Sequence, residues 1–411
     1  MRMTNPRMLA RLGLMVMSTI ALNVSLSLAA DDEPMDLGAL LESRKELSTF
    51  NSLVRDYPEI LLKLPNYGGV TIVAPSDKAF ENIAGTPLNE IWDPKNASIT
   101  VPILEYHILQ GTISTGALVP GPSVFKRTLL TTKEWTNVTA GQNVVVNKQP
   151  GEIIVFSSAQ GARTTQTKGD MRFAGGLLHI VDNLLIPPTR LEPTLEAFSL
   201  DSFLGALHAA ELMPTLAEEQ NVTIFAPRDE ALALVGGTLS SLDTDALARV
   251  MGYHVIPNRV ISSAELSNGT RLDTRAGSGA ALTVRRSGND LYVDSSRVVQ
   301  PDILMANGVL HVVDNVLNPD AGGVVPNPEA ATQGPVWPVS EADGVFTSAI
   351  PCSVDCPTTT ATETASSSRT TATADPTGGS PDRDDNAGGR FGVSVVGVGV
   401  GVIGAVFMAV A

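Results

Sequence analysis

Residues 308–319 read GVLHVVDNVLNP, and residues 176–187 read GLLHIVDNLLIP. Each stretch is a short apolar run that contains one His and an Asp-Asn pair and ends at a proline. The alternation of apolar side chains predicts a β-strand, with Leu178 and Ile180 facing inward in one copy and the corresponding residues facing inward in the other. A stretch written twice at this length indicates a duplicated unit.

Two more motifs occur twice, upstream of these stretches and in the same order. They are TIVAPSDKAF at 71–80 with TIFAPRDEAL at 223–232, and Tyr106-His107 with Tyr253-His254. Because three motifs recur in one order, the chain is a tandem duplication. We place the first repeat at residues 36–188 and the second at residues 191–319. In each repeat, apolar residues at helical spacing come first and strand-like alternation follows, which predicts an α+β fold.

Composition limits the class of protein. The 411 residues are 43% hydrophobic, enough for two domains that each bury a core. The formal net charge is -15 and no Lys/Arg-rich run occurs, so we predict no nucleic-acid partner. The cysteines are Cys352 and Cys356, both outside the repeats, so the two domains depend on packing alone. These cysteines can pair with each other, pair between chains, or have no structural role.

The regions before and after the repeats have sorting and linker compositions. Residues 1–30 combine three early arginines with an apolar run and small residues, which predicts a secretory signal peptide. Residues 320–390 are rich in Gly, Pro, Thr, Ser and Ala. Such a composition cannot bury enough apolar surface to offset its ordering entropy, and it predicts a disordered, O-glycosylated stalk.

The apolar tail at residues 391–411 follows a polar spacer and carries no charge. This order predicts the signal for a glycosylphosphatidylinositol (GPI) anchor, with Gly378 or Asn386 as the attachment residue. The alternative is a single-pass membrane protein, since 21 apolar residues can just span a bilayer. No Lys or Arg follows the apolar run, and this favours the lipid anchor.

The three duplicated motifs resemble those of the fasciclin domain family over residues 36–319. The resemblance implies two tandem domains of α+β class, each a helical bundle packed on a β-wedge. It also implies an extracellular adhesion or cell-wall-associated protein, because members of the family are mostly of this kind and are commonly lipid-anchored. The whole layout is similar to fungal GPI-anchored fasciclin-like proteins.

Four duplicated histidines are the first candidates for chemistry: His107 with His254, and His179 with His311. A metal or acid–base site would need Asp, Glu or Cys side chains that converge on them. The same groups recur twice without a nucleophile or ligand set, so we interpret them as scaffold groups that hydrogen-bond the backbone. Sequence signatures of zinc proteases, serine hydrolases and nucleotide-binding loops are absent. We predict no catalytic residue, no metal and no cofactor.

The resemblance implies one further set of site residues. Asp302 and Ile303 lie in a segment similar to one assigned integrin recognition in animal family members, and the region of Tyr253 and His254 is likewise implicated in adhesion. These four residues are our adhesion candidates.

Carbohydrate attachment is predicted from the residues themselves. In a secreted chain, N-x-[ST] sequons mark acceptors for N-glycosylation. The repeats contain four such acceptors: Asn96, Asn137, Asn221 and Asn268.

The function predicted from the sequence is a non-enzymatic adhesion or wall-associated protein on the outer face of the plasma membrane or in the cell wall. Its expected partners are glycans and glycoproteins of the cell surface, cell wall or matrix, together with the membrane through the lipid anchor. A surface receptor for carbohydrate or lipid is the alternative. A polysaccharide-active enzyme is less favoured, because it would need two carboxylates facing one another across a cleft.

Overall fold

The computed structural model describes residues 34–66 and 68–351. The predicted signal peptide, the predicted stalk from residue 352 onward and the apolar tail lie outside these residues. The residues predicted for cysteine pairing or lipid attachment lie outside them too: Cys352, Cys356, Gly378 and Asn386. Both repeats belong to one structural unit.

The first repeat begins with helices and ends with strands. Its α-helices are α1 (Leu37–Glu42), α2 (Ser48–Asp56), α3 (Asp77–Glu81) and α4 (Ala97–Tyr106). Its strands are β1 (Val70–Pro75), β2 (Ile108–Gln110), β3 (Val124–Arg127), β4 (Asn143–Gln149), β5 (Ile153–Ser157), β6 (Arg163–Phe173) and β7 (Gly176–Val181). Among the described residues they form a sheet in the order β2-β1-β7-β6-β5-β4-β3, in which β1 and β7 run parallel.

The second repeat has the same topology. Its α-helices are α5 (Leu191–Ala197), α6 (Asp201–Ala209), α7 (Met213–Glu218), α8 (Asp229–Leu239) and α9 (Thr244–Tyr253). Its strands are β8 (Val222–Pro227), β9 (Val255–Ile256), β10 (Arg271–Asp273), β11 (Ala281–Ser287), β12 (Asp290–Val293), β13 (Ser296–Met305) and β14 (Gly308–Val313). The sheet order is β9-β8-β14-β13-β12-β11-β10, with β8 and β14 parallel. The predicted tandem α+β fold is confirmed.

The duplicated closing stretches form β7 and β14, which lie inside their sheets and separate two cores. Leu178 and Ile180 pack in a core with the residues of α1 and α2, as predicted. Val181 points to the other face and joins a core made with β4 and β5. In the second repeat, Leu310 and Val313 divide in the same way. These strands are therefore buried on both faces, whereas simple alternation would have left one face less buried.

The residue after each TIVAPS or TIFAPR segment is an aspartate that begins a helix and links it to the helix before the strand. Asp77 accepts a hydrogen bond from the N–H of Thr49 at 2.7 Å, in the first turn of α2. Asp229 accepts from the N–H of Ser202 at 3.1 Å, in the first turn of α6. The first N–H groups of a helix have no partner within the helix, so each aspartate satisfies one of them from outside.

Residues 320–351 differ from the sequence prediction of a disordered stalk, because the structure packs them onto the second repeat. We call residues 333–351 the strap. Its backbone pairs with α8, where the carbonyl of Ser340 accepts from the N–H of Gly237 at 2.8 Å. Val345 in the strap is buried against the helices.

Three glycines inside helices make room for the strap. A Cβ on Gly205 of α6 would overlap the carbonyl oxygen of Phe346, and a Cβ on Gly236 of α8 would overlap Val345. Gly237 faces Ser340 in the same way. Glycine in a helix interior costs about 0.5–1 kcal/mol relative to alanine. The strap therefore packs against glycines that lie more than a hundred residues earlier in the chain. The composition of the strap alone does not indicate this packing.

Candidate functional site at the repeated motifs and the inter-repeat joint

His107 and His254 connect the end of a helix to the loop that follows the closing strand. The Nδ1–H of His107 donates to the carbonyl of Ile103 at 2.7 Å, and its Nε2 accepts from the N–H of Leu185 at 2.8 Å. His254 makes the corresponding two bonds at 2.9 and 3.0 Å. Burial lowers the pKa of each imidazole to about 4, against the opposing effect of the carbonyl hydrogen bond. Both rings are neutral near pH 7.

His179 and His311 lie on the closing strands and hold the preceding strand in place. The Nδ1 of His179 accepts from the N–H of Asp170 at 3.2 Å, and its Nε2–H donates to the carbonyl of Ile113 at 2.8 Å. His311 makes the same pair of bonds at 3.2 and 3.0 Å. Burial lowers the pKa of both rings. The ring nitrogens of all four duplicated histidines are thus engaged with backbone.

A metal site would require several ligand side chains to converge on one point. Within residues 34–66 and 68–351, no group of three or more His, Cys, Asp or Glu side chains could hold a metal ion. The histidines instead act as paired connectors, each fixed in one tautomer by a backbone donor and a backbone acceptor.

Three of the four adhesion candidates are buried side chains of the second repeat. Tyr253 and His254 are at most 1% exposed, and Ile303 is 5% exposed within the helical core. The hydroxyl of Tyr253 donates to Oδ2 of Asp294 at 2.9 Å. In this structure these side chains face the interior of the second repeat and contact other residues of that repeat.

The fourth adhesion candidate, Asp302, is partly exposed but is also engaged. Its carboxylate accepts from the N–H of Ser263 at 2.7 Å and from the Ser263 hydroxyl at 2.5 Å. Its backbone is left-handed, with φ 65°, and its N–H donates to His311 at 3.2 Å. Asp170 occupies the matching place in the first repeat, with φ 55° and contacts to Thr115. The aspartate is therefore a bulge residue that fixes a loop, once in each repeat.

The four sequons divide into two kinds of place. Asn268 is exposed, and Asn96 begins α4 with its side chain accepting from the N–H of Ser98. Asn137 and Asn221 instead lie where the two repeats meet. The Nδ2 of Asn137 donates to the carbonyl of Glu218 in the second repeat at 2.7 Å.

The joint between the repeats is centred on the backbone of Ala306. Its N–H donates to the carbonyl of Thr189 in the linker at 2.7 Å, and its carbonyl accepts from the N–H of Asn137 at 2.7 Å. Gln142 of the first repeat is fully buried and donates to the carbonyl of Met305 at 3.0 Å. Because buried hydrogen bonds are costly to break, this joint fixes the two repeats relative to each other. Sequence reasoning missed it, since neither motif nor periodicity marks Gln142 or Ala306.

A polar cavity of about 340 Å³ opens beside this joint, lined by residues of both repeats. The first repeat contributes Phe125, Arg127 and Asn143, and the second contributes Asn221, Asn258 and Glu265. No sequence motif predicts this cavity, because its lining residues come from loops and strand ends that are far apart in the chain.

Comparison with known proteins agrees with the duplicated motifs. The sequence model of the Fasciclin domain matches residues 45–187 and 198–319, which is more than half of the chain. The chain therefore belongs to the fasciclin domain family, and the resemblance drawn from its motifs is confirmed.

Two fungal relatives and one solved insect structure illustrate the similarity. The chain is similar to a fasciclin-like arabinogalactan protein of Arthroderma benhamiae, at 27% identity over 76% of this chain and 73% of the relative. It is similar to the fasciclin-like arabinogalactan protein elcF of Phaeosphaeria nodorum, at 27% identity over 69% of this chain and 88% of the relative. A solved FAS1 domain pair from the insect cell adhesion molecule Fasciclin I shares 18% identity over 67% of this chain and 98% of that chain, with a TM-score of 0.32.

Across 34–66 and 68–351, none of the helices combines the length and the apolar character that a bilayer span requires.

Proposed function

We propose that the chain is a non-enzymatic extracellular protein that acts in adhesion or in association with a cell wall or matrix. Membership of the fasciclin domain family supports this proposal. The observation that carries it is the use of the duplicated polar groups. His107, His179 and their counterparts hydrogen-bond backbone atoms through both ring nitrogens. These imidazoles therefore support the fold, and their nitrogens are not available as reacting groups.

The rigid joint supports binding through both domains together. Two weak contact surfaces held in a fixed geometry bind more tightly than either alone, because the second contact forms at a high effective concentration. The buried bonds around Ala306 and Gln142 provide that fixed geometry. The proposed partners are glycans and glycoproteins of the cell surface, wall or matrix.

A deletion strain of the source organism tests the adhesion proposal. We expect loss of cell–cell or cell–surface attachment, with recovery when the full-length chain is restored. A matched control restores Asn89→Leu, a change at an exposed position of the first repeat. Normal attachment in the deletion strain would contradict the proposal. The comparison with the restored strain requires that the restored protein reaches the surface in normal amount.

We propose that the mature chain is held at the membrane by a GPI anchor at Gly378 or Asn386, with a transmembrane span as the alternative. Phosphatidylinositol-specific phospholipase C should release the intact protein from membranes. A Trp substitution at only one of the two residues should block attachment, because the transfer site requires small residues. Retention of the wild-type protein after phospholipase treatment would favour the span.

We also propose that the first domain extends over residues 36–188, and that the second domain comprises residues 191–319 together with the strap. The three glycines under the strap support the longer second domain. A carbohydrate or lipid receptor is the second candidate function. The polar cavity at the joint favours the carbohydrate form of that candidate.

A further inference from the structure

The cavity beside the inter-repeat joint has a volume of about 340 Å³, within the range of small-molecule sites. It exists only when both repeats are in place, because each contributes part of the lining. The buried bonds of the joint therefore also fix the shape of the cavity. A preformed site of this kind avoids the ordering cost that a flexible loop site would meet on binding.

Asn143 is the residue that points to a ligand. It is only 6% exposed, at the start of β4. Its N–H donates to Oε1 of Gln142 at 2.7 Å, and its carbonyl accepts from the hydroxyl of Tyr106 at 2.8 Å. Its side-chain amide has no hydrogen-bond partner among residues 34–66 and 68–351. Because both backbone groups are occupied, the side-chain amide is what Asn143 offers to the cavity.

The amide of Asn143 is accessible from the cavity and makes no hydrogen bond to the described part of the chain. A ligand in the cavity can therefore bond to it without displacing a protein partner. The amide offers a donor and an acceptor side by side, which matches a hydroxyl group that both donates and accepts.

The other lining groups have the same character. Asn258 is exposed and has a left-handed backbone (φ 62°), and Arg127 is a second exposed residue of the lining. Neither side chain has a hydrogen-bond partner in the described part of the chain. Glu265 uses Oε2 to accept from Ser262, which leaves Oε1 for the cavity.

The charges and the aromatic ring narrow the class of ligand. Arg127 and Glu265 contribute one positive and one negative charge, so the lining has no net preference for an ionic ligand. Phe125 adds a partly buried aromatic ring to a lining otherwise rich in amides. A compact ligand with many hydroxyl groups, no charge and one apolar face fits this combination. A sugar ring has these properties.

We propose that the cavity binds a neutral saccharide unit through Asn143, Asn258 and Glu265, with the Phe125 ring against the apolar face of the sugar. This deepens the proposed function and rests on it only for the cell-surface setting. The saccharide can come from the N-linked glycans of this chain or from an external polysaccharide.

The test uses the full-length secreted protein, before and after removal of its N-glycans by an endoglycosidase. Calorimetric titration with chitotriose, laminaritriose and mannotriose provides the neutral probes, and trigalacturonate is the acidic comparison. We expect at least one neutral probe to bind and trigalacturonate to bind more weakly. Binding only after endoglycosidase treatment identifies the chain's own glycan as the occupant, whereas equal binding in both states identifies an external source.

Asn143→Leu keeps the size of the side chain and removes the amide, and we expect at least a tenfold loss of affinity. Asn258→Ala, at an exposed position of the lining, provides the test if Asn143→Leu fails to fold. Asn89→Leu, exposed and outside the cavity, should bind as the wild type does. No binding of any neutral probe at millimolar concentration, or binding that neither cavity variant weakens, would overturn the saccharide site. Attachment in the deletion strain reads out the proposed function separately.

Discussion

The side-chain amide of Asn221 forms two hydrogen bonds with Thr139 across the joint. Its Nδ2 donates to the threonine hydroxyl at 2.6 Å, and its Oδ1 accepts from the threonine N–H at 2.8 Å. Asn221 is the acceptor residue of one sequon, and Thr139 is the hydroxyl residue of the sequon that begins at Asn137. Two predicted glycosylation signals are therefore built into the contact between the repeats.

This arrangement predicts unequal use of the sequons. We expect glycans on Asn268 and Asn96, whose attachment nitrogens lie outside the joint, and an unmodified Asn221. A glycan on Nδ2 of Asn221 would compete with the bond to Thr139, and the left-handed backbone there, with φ 58°, further restricts the site. Mass spectrometry of glycopeptides from the secreted protein checks this. A fully occupied Asn221 would contradict it.

Removal of the threonine should loosen the joint. We expect Thr139→Ala to lower the free energy of unfolding by about 1–2 kcal/mol, because the amide of Asn221 loses its hydroxyl partner. Thr270→Ala is the matched control, since it removes the exposed sequon at Asn268 without touching the joint. Denaturant unfolding of enzymatically deglycosylated protein provides the measurement. Equal stability of the two variants would show that the joint does not depend on this pair.

A second prediction concerns a glycine under the strap. Alanine is a better helix former than glycine by about 1 kcal/mol, so Gly205→Ala should stabilise an uncovered helix. In this protein we expect a net loss of about 1–3 kcal/mol, because the new Cβ overlaps the backbone of Phe346.

The first repeat offers the control for this change. Ser52 lies two residues after Phe50 in α2, as Gly205 lies two residues after Phe203 in α6, and Ser52 is exposed. Ser52→Ala should therefore be neutral or slightly stabilising. If Gly205→Ala is as stable as the wild type in denaturant unfolding, the strap does not pack on α6 in solution.

Acid should destabilise the fold through the buried histidines. The unfolded chain takes up these protons near pH 6.5, whereas His107 and His254 take them up near 4 in the folded chain. The unfolded state therefore binds more protons in between, and stability falls as the pH drops from about 6.5 to about 4. Each histidine should account for about 2 kcal/mol between pH 7 and pH 5.

The variant His254→Gln isolates this effect. It should start less stable at pH 7 but lose about 2 kcal/mol less than the wild type on going to pH 5. Burial raises the pKa of Asp294, which acts in the opposite direction, so the comparison between variants is more informative than the wild-type curve alone. His208→Gln, at a partly exposed ring, controls for the introduction of glutamine. An unchanged pH slope in His254→Gln would refute the histidine explanation.

The adhesion candidates should affect attachment only through folding. Ile303→Ala removes a core side chain and should cost about 2–4 kcal/mol. Tyr253→Phe leaves the buried carboxylate of Asp294 without its hydroxyl donor and should cost about 1–3 kcal/mol. Attachment per folded molecule should stay constant in both variants. Val299→Ala, at a 46% exposed position of the same strand as Ile303, is the control. Reduced attachment by fully folded Tyr253→Phe protein would revive the direct-contact hypothesis.

The sequence predicted the elements whose motifs occur twice. The closing strands, the helical first part of each repeat and the backbone hydrogen bonds of His179 and His311 all follow from repetition and local pattern. The dual burial of β7 and β14 did not follow, because alternation cannot distinguish one covered face from two.

The joint and the strap could not be predicted for a different reason. Ala306 acts through its backbone, which carries no residue-type signal. Gly205 and Gly236 weaken their helices when considered locally, and they make physical sense only with Phe346 and Val345 placed over them. Both features depend on contacts between distant parts of the chain, so no window of sequence contains them.

The position of the strap also determines which part of the second repeat a mechanical force on the following chain would reach first. A pull applied beyond residue 351 reaches the strap before it reaches either sheet. β14 is hydrogen-bonded along its length to β8 on one side and to β13 on the other, whereas isolated hydrogen bonds hold the strap to the helices. We therefore expect the strap to detach while the domain stays folded. At about 3.3 Å per residue, residues 333–351 would then extend to roughly 60 Å. We therefore expect a force applied through the chain beyond residue 351 to lengthen the strap before it separates the strands of the sheet.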